Sequence, residues 1–228
     1  MDNDLQAITS RIMQKAKSQK PTGPKKPEAG NLTPEDLEKA GIFKRFQSVT
    51  FDSIEQRGLP RDEELRHNYG MVKTYAASLD ENIANGTGLL LAGNFGTLKS
   101  SMAVAVLRYH LERGKAGLFV PMCSLIDNLF TMQKLNKEEW AKYEYKIRNT
   151  PLLVLDDLGS ENTDQGWILA KVDSIITERY NKMRPIIITT NLSKADLKGT
   201  YSGRLFDRLR STSKCIVFRG ESQREAVG

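Results

Sequence analysis

Lys99 and Ser100 stand side by side at the end of the run Gly93-Asn94-Phe95-Gly96-Thr97-Leu98-Lys99-Ser100, with Ser101 next. An ammonium and a hydroxyl in adjacent positions after a glycine-bearing turn could grip an anion and a hard cation together. The run follows an apolar segment at 88–92 and opens a helical pattern at 99–113. In that setting the turn's backbone N–H groups and the helix N-terminus both face a phosphate. Lys99 is then placed to bridge β- and γ-phosphates, and Ser100 to hold Mg²⁺. Leu98 breaks the G-x-x-x-x-G-K-[ST] pattern, which has glycine there so that the backbone can approach phosphate without a Cβ. A changed loop shape or a weakened nucleotide is the expectation; a strand-to-helix turn that binds nothing is the plainer one.

A second group of polar residues ends apolar strands. Pro151-Leu-Leu-Val-Leu-Asp156-Asp157 finishes in two carboxylates. A carboxylate at the tip of a buried strand is unfavourable unless a cation meets it. Asp156 suits Mg²⁺, and Asp157 suits orientation of an attacking water. Ile186-Ile-Ile-Thr-Thr190-Asn191 ends in an amide that could hold a water between Asp157 and a γ-phosphate. Gly203-Arg204-Leu-Phe-Asp207-Arg208-Leu-Arg210 is an arginine-dense helix. Such a helix is a solvated surface, or it reaches a nucleotide held by a neighbouring copy.

The elements that must position these groups follow from periodicity. Strands are expected at 88–92, 117–121, 151–156, 185–190 and 214–218, alternating with helices at 99–113, 123–134, 138–148, 165–183 and 203–210. Near-continuous apolar strands alternating with helices predict a parallel sheet between helical layers. Upstream, a helix starts at Thr33-Pro34-Glu35-Asp36, residues 46–51 are expected to be extended, and 61–83 to be one amphipathic helix. Residues 5–20 read as a basic amphipathic helix and 21–30 as a Pro/Gly linker.

Composition narrows the classes. With 228 residues, 39% hydrophobic and 27% charged, the chain can bury a real core, and no apolar run reaches the ~20 residues of a membrane span. The acidic start lacks an apolar leader core, so no leader and a cytoplasmic location are expected. Cys123 and Cys215 are too few for a disulfide scaffold or a Cys-ligated zinc. His67 and His110 offer little to a metal. The net charge of +6 is compatible with nucleic acid without requiring it.

Taken together, these residues resemble the AAA+ ATPases of the DnaC helicase-loader and IstB transposition-helper family. The resemblance spans roughly residues 45–226. It rests on Arg45-Phe46, Phe51-Asp52, Asn82-Ile83, Gly93–Ser101, Leu152–Gly159, Thr189-Thr190-Asn191-Leu192, Gly203-Arg204 with Asp207-Arg208-Leu209, and Gly220-Glu221-Ser222-Gln223-Arg224. It implies an α/β P-loop NTPase fold of the AAA+, ASCE type without a C-terminal lid, preceded by a short helical extension. The division would be 1–45 for the extension and 46–228 for the ATPase domain. The resemblance further implies Lys99 and Ser100 in the Walker A role, Asp156 and Asp157 in Walker B, and Asn191 as sensor 1. Arg208 would be the arginine finger, with Arg204 the second candidate, and Arg224 a late nucleotide-sensing arginine. ATP and Mg²⁺ are the implied cofactors, turned over weakly. A DnaB-type replicative helicase, single-stranded DNA and further copies of the chain are the implied partners.

Two other readings stand beside the loader: an IstB-like transposase helper, and an adaptor that binds its partner without nucleotide because of Leu98. Lys171, Arg179, Lys182 and Arg184, with Trp167, are the charge-based candidates for single-strand contact.

Overall fold

The computed structural model describes residues 32–57, 62–160 and 166–223, without the side chains of 132–135. The 5–20 helix, the 21–30 linker and Arg224 lie outside the described residues. Before the sheet come α1 (Pro34–Lys39), a 3₁₀ turn (Lys44–Phe46), α2 (Phe51–Gln56), α3 (Glu63–Ala77) and α4 (Leu79–Ala84). The remainder is β1 (Gly88–Gly93), α5 (Lys99–Leu111), β2 (Gly117–Pro121), α6 (Met122–Leu135), α7 (Lys137–Asn149), β3 (Leu152–Leu158), α8 (Gly166–Asn181), β4 (Ile186–Thr190), α9 (Lys194–Thr200), α10 (Gly203–Thr212) and β5 (Ser213–Phe218).

All five strands are parallel in the order β2-β3-β4-β1-β5. β4 therefore lies between the strand that leads into the Lys99 turn and the strand that carries Asp156 and Asp157 and runs on to Leu158. The chain moves one way from β1 to β2 and the other way from β4 to β5, so the crevice at the carboxyl ends of β1, β3 and β4 is a topological switch point, where open α/β sheets bind ligands.

Strand alternation divides the core. Leu89, Leu91, Val154 and Ile187 pack on one face with α3 and the apolar residues of α5. Leu90, Leu153, Leu155 and Ile188 pack on the other with α6, α7, α8 and α10. Leu37, Ala40 and Ile42 also belong to the first core, and the Phe119 N–H on edge strand β2 donates to the Ala40 carbonyl at 2.7 Å.

Three expectations about local structure are corrected. Residues 46–51 are not an extended segment. The 3₁₀ turn leads to Thr50, whose hydroxyl accepts from the Ser53 N–H at 2.9 Å and starts α2 with a reciprocal capping box. The Thr50-x-x-Ser53 pattern carried that signal. Helix 61–83 is two helices broken at Ser78, with Asn82 Nδ2 donating to the Tyr75 carbonyl at 2.9 Å across the break. α9 was not anticipated, although Ser193 and Asp196 form the capping box that begins it. Cys123 and Cys215 are free and exposed despite apolar sequence neighbours. No helix among the described residues is long and apolar enough to cross a membrane.

Candidate nucleotide site

The turn after β1 is built by close approach. Gly93 has φ +130°, and a Cβ there would sit 1.9 Å from the Phe218 carbonyl oxygen. Gly96 has φ +74°, and its Cβ would meet the Ser222 hydroxyl at 2.0 Å. β5 and the segment after it thus form one wall of the turn. The Asn94 N–H donates to the Phe218 carbonyl at 2.8 Å, Asn94 Nδ2 to the Arg219 carbonyl at 2.7 Å, and the Gln223 N–H to the Gly96 carbonyl at 2.8 Å.

Leu98 is the N-cap of α5 with φ 67° and ψ 10°. This left-handed conformation is why glycine suits the position: an L side chain there crowds its own carbonyl, at about 1–2 kcal/mol. Leu98 adopts it nonetheless, with its side chain packed against the first core. The departure from the motif leaves the α5 N-terminus starting where the motif requires, at Lys99.

Lys99 is buried, and its ammonium donates to the Gly93 carbonyl at 2.8 Å, to the Asn94 carbonyl, and to Thr97 Oγ1 at 3.3 Å. Thr97 Oγ1 in turn donates to the Asn94 carbonyl at 2.8 Å. The lysine is folded onto its own loop, and binding a phosphate there means exchanging those carbonyls for anionic oxygens.

The acidic side is organised by Thr189. Its hydroxyl donates to Asp156 Oδ1 at 2.6 Å and accepts from the Asp157 N–H at 2.9 Å. The Ser100 hydroxyl also hydrogen-bonds the Asp156 carboxylate. The β3–β4 register shifts between Leu155 and Leu158, and Asp157 takes φ 62°. That twist turns its carboxylate to Asn191, whose Nδ2 donates to Asp157 Oδ1 at 2.6 Å. Two non-glycine residues in left-handed backbone, Leu98 and Asp157, therefore flank one crevice, and strain of this kind concentrates at functional sites.

These groups share a cleft of about 960 Å³. Phe95, Gly96, Thr97, Leu98, Lys99, Ser100 and Ser101 line one side, and Asp156, Asp157, Thr189 and Asn191 another. Arg45, Phe46, Val49, Ser53, Ile54 and Arg57 close it from the segment before the sheet. A hydroxyl and a buried carboxylate already in contact, Ser100 and Asp156, suit a hard cation that takes its other ligands from phosphate and water. Among the described residues no group of three or more His, Cys, Asp or Glu side chains is arranged to hold a metal ion by itself.

Burial raises the Asp156 pKa above its ordinary 3.8, against the lowering effect of hydrogen bonds from Thr189 and Ser100. A folded-state pKa above the unfolded value means this group supports the fold at acid pH and loses that support as pH rises through the folded pKa. Once ionised, the carboxylate therefore weighs against the fold until a cation meets it. Asp156→Asn is expected to raise the nucleotide-free melting temperature at pH 7.5 by about 2–4 °C, roughly 1 kcal/mol for a chain of this size. The gain should shrink at pH 4, and Mg²⁺-dependent nucleotide binding should fall. Thermal scans at the two pH values, with and without Mg²⁺ and ATP, check it.

Comparison with known proteins agrees with this geometry. A family profile described as IstB-like ATP binding protein matches residues 70–227. The chain belongs to that family. Within reach of this IstB-like domain is the replicative helicase loader DnaI of Bacillus subtilis (strain 168), 24% identical over 189 residues. That match covers 77% of this chain but only 58% of the DnaI loader. A crystal structure of the DnaC helicase loader superposes with a TM-score of 0.68 at 28% identity, covering 77% of this chain and 99% of that one. AMPPCP-bound DnaA from Aquifex aeolicus shares the fold at 19% identity with a TM-score of 0.58, covering 76% of this chain and 50% of that one. The IstB-like domain has the α/β P-loop NTPase fold of AAA+ proteins.

The remaining sequence candidates lie elsewhere. Arg208 is not in the cleft. Its guanidinium donates to Thr177 Oγ1 at 2.7 Å and Asp173 Oδ1 at 3.2 Å, fastening α10 to α8. Arg204, in the first turn of α10, is exposed and has no ion pair among the described residues. Lys171 pairs with Glu144 at 2.7 Å and Lys182 with Glu178 at 2.5 Å. Trp167 is 43% exposed, edge-on to Phe130. Arg179 is fully buried, so its assignment as a DNA contact is withdrawn. Sequence reasoning passed over Thr189 as an organiser and Arg57 as a cleft residue. A hydroxyl in an otherwise apolar strand was the only signal for the first, and Arg57 carried none.

Proposed function

We propose that this chain is an ATP-dependent loader that delivers a DnaB-type hexameric helicase to single-stranded DNA when replication starts. The observation that carries this reading is the similarity to the DnaC helicase loader across 99% of that chain, combined with a complete phosphate-loop cleft. In this reading Lys99 holds the β- and γ-phosphates, Ser100 and Asp156 hold Mg²⁺, and Asp157 with Asn191 orients the attacking water. Gly93, Asn94, Phe95, Gly96, Thr97, Leu98 and Ser101 shape the loop, and Arg224 senses the nucleotide. Residues 1–45 contact the helicase.

Self-association completes the site. A finger must leave its own subunit, and Arg208 is engaged by Asp173 and Thr177 within its own chain. Arg204 is exposed, has no ion pair among the described residues, and lies one turn earlier on the same helix. Arg204 is the finger in this reading, and Arg208 positions the helix that carries it.

The test mixes the chain with a hexameric DnaB-type helicase, single-stranded DNA, ATP and Mg²⁺, and follows unwinding of a fork that has no free end for the helicase to thread. Expected is unwinding that needs ATP and the N-terminal residues. Arg204→Ala should lower ATP turnover at least about tenfold with nucleotide affinity retained, while Arg208→Ala should lower the melting temperature first. Binding to duplex DNA and a transposase with no helicase complex would instead establish the transposase-helper role. Helicase binding indifferent to ATP and to Lys99→Ala would establish the adaptor.

A further inference from the structure

The cleft has more positive charge than the phosphate loop supplies, and its source is the segment before the sheet. Lys99 is the loop's only cation. Arg45 and Arg57 line the same cleft from the segment spanning the 3₁₀ turn and α2. Both are exposed, and neither has an ion pair among the described residues. Two neighbouring charged groups are matched: Glu55 pairs with Lys73 at 2.5 Å, and Arg108 pairs with Glu112 at 3.2 Å while donating to the Gln47 carbonyl; Lys44 and Asp52 on the same segment are exposed.

The segment that presents these guanidiniums is held in place. Val49 and Ile54 are buried, the Phe46 ring lies 5.9 Å from that of Phe119, and Phe51 lies edge-on to Tyr69 at 6.0 Å. Two exposed arginines with no ion pair among the described residues, carried on a packed segment that lines the same cleft as an anion-binding loop, match polyphosphate, which accepts the guanidinium fork through paired oxygens. Facing them across the cleft are Lys99, Asp156 and Asp157. A cation held by Ser100 and Asp156 would offset part of the opposing carboxylate charge.

We infer that Arg45 and Arg57 are phosphate-binding residues supplied in cis, which close the cleft over the polyphosphate of a nucleoside di- or triphosphate. This rests on the reading of the cleft as an ATP site.

The experiment measures equilibrium binding of a fluorescent ATP analogue to the full chain with Mg²⁺, with competition by ATP, ADP and adenosine at low and high salt. Wild type, Arg45→Ala, Arg57→Ala, the double variant and Arg57→Lys are compared. Expected is at least about tenfold weaker ATP and ADP in the double variant, adenosine within about twofold, and a shallower salt dependence. Arg57→Lys should recover part of the loss, since charge returns without the fork. Both side chains are exposed, so nucleotide-free melting temperatures should match. ATP affinity and salt dependence equal to wild type in the double variant would overturn the inference and leave the ATP site standing. Equal losses for adenosine and ATP would also overturn it, by assigning the residues to cleft shape. A wild type that binds no ATP removes both the site and the inference.

Discussion

Lys99→Ala is expected to weaken ATP binding by about a hundredfold or more in isothermal titration with Mg²⁺, whereas Leu98→Gly should stay within about threefold of wild type. The loop contributes one cation, and that cation is buried against the Gly93 and Asn94 carbonyls. Without it the β- and γ-phosphates meet backbone N–H groups alone, and a charge-assisted contact worth about 2.7 kcal/mol is lost, which is a hundredfold in affinity. Leu98 is different because it already occupies the backbone conformation that glycine would supply, φ 67° and ψ 10°. Glycine there relieves about 1–2 kcal/mol of left-handed strain. It also gives up the packing of a half-buried leucine on the core and adds unfolded-state freedom, and these offset the gain to within about 1 kcal/mol. The result that sinks this account is a wild type with no measurable binding and a Leu98→Gly variant that binds. The leucine would then have retired the loop, and the adaptor reading would take its place.

The sheet was legible because buried parallel strands are nearly all apolar, and 88–92, 117–121 and 151–156 each appear within a residue or two of expectation. The phosphate loop and the acidic strand were legible as residue types at fixed places along the chain. Segments governed by capping were less so. α2 and α9 are six and seven residues long, too short to show helical periodicity, and their capping hydroxyls were the only signals. The site's electrostatic detail could not be read in one dimension. Thr189 reaches Asp156 and the Asp157 N–H only because β4 inserts beside β3 with a register shift. Whether an arginine is free is likewise a matter of neighbours. Arg204, Arg208 and Arg210 share one helix, yet Asp173 and Thr177 on α8 hold Arg208 alone of the three. Charge counted along the chain treats all three alike.

Arg179 shows the same ambiguity at its extreme, and its replacement by methionine is expected to lower the melting temperature by on the order of 10 °C. From sequence it sits among Lys171, Lys182 and Arg184 and reads as part of a basic surface. In the fold it is wholly buried. Its Nη1 donates to the Ile147 carbonyl at 2.8 Å and the Thr150 carbonyl at 2.9 Å, and its Nη2 to the Pro185 carbonyl at 2.8 Å. Ile147 is in the last turn of α7 and Thr150 is its C-cap, so the guanidinium satisfies carbonyls that the helix cannot and meets the negative end of its dipole. Pro185 leads into β4. One side chain thereby joins the end of α7, the body of α8 and the entry to a central strand. Burial, reinforced by Arg184, lowers its pKa to about 9, so it remains charged at neutral pH. Methionine fills much of the volume but leaves three buried carbonyls without donors. Their desolvation exceeds what is regained from the buried charge, for a net loss of about 3 kcal/mol. Arg179→Lys keeps the charge without the spread of donors and should fall between the two. Thermal unfolding measures the loss, and single-strand binding at 15 °C separates a structural arginine from a surface one. An unchanged melting temperature with weakened DNA binding would return Arg179 to the surface set.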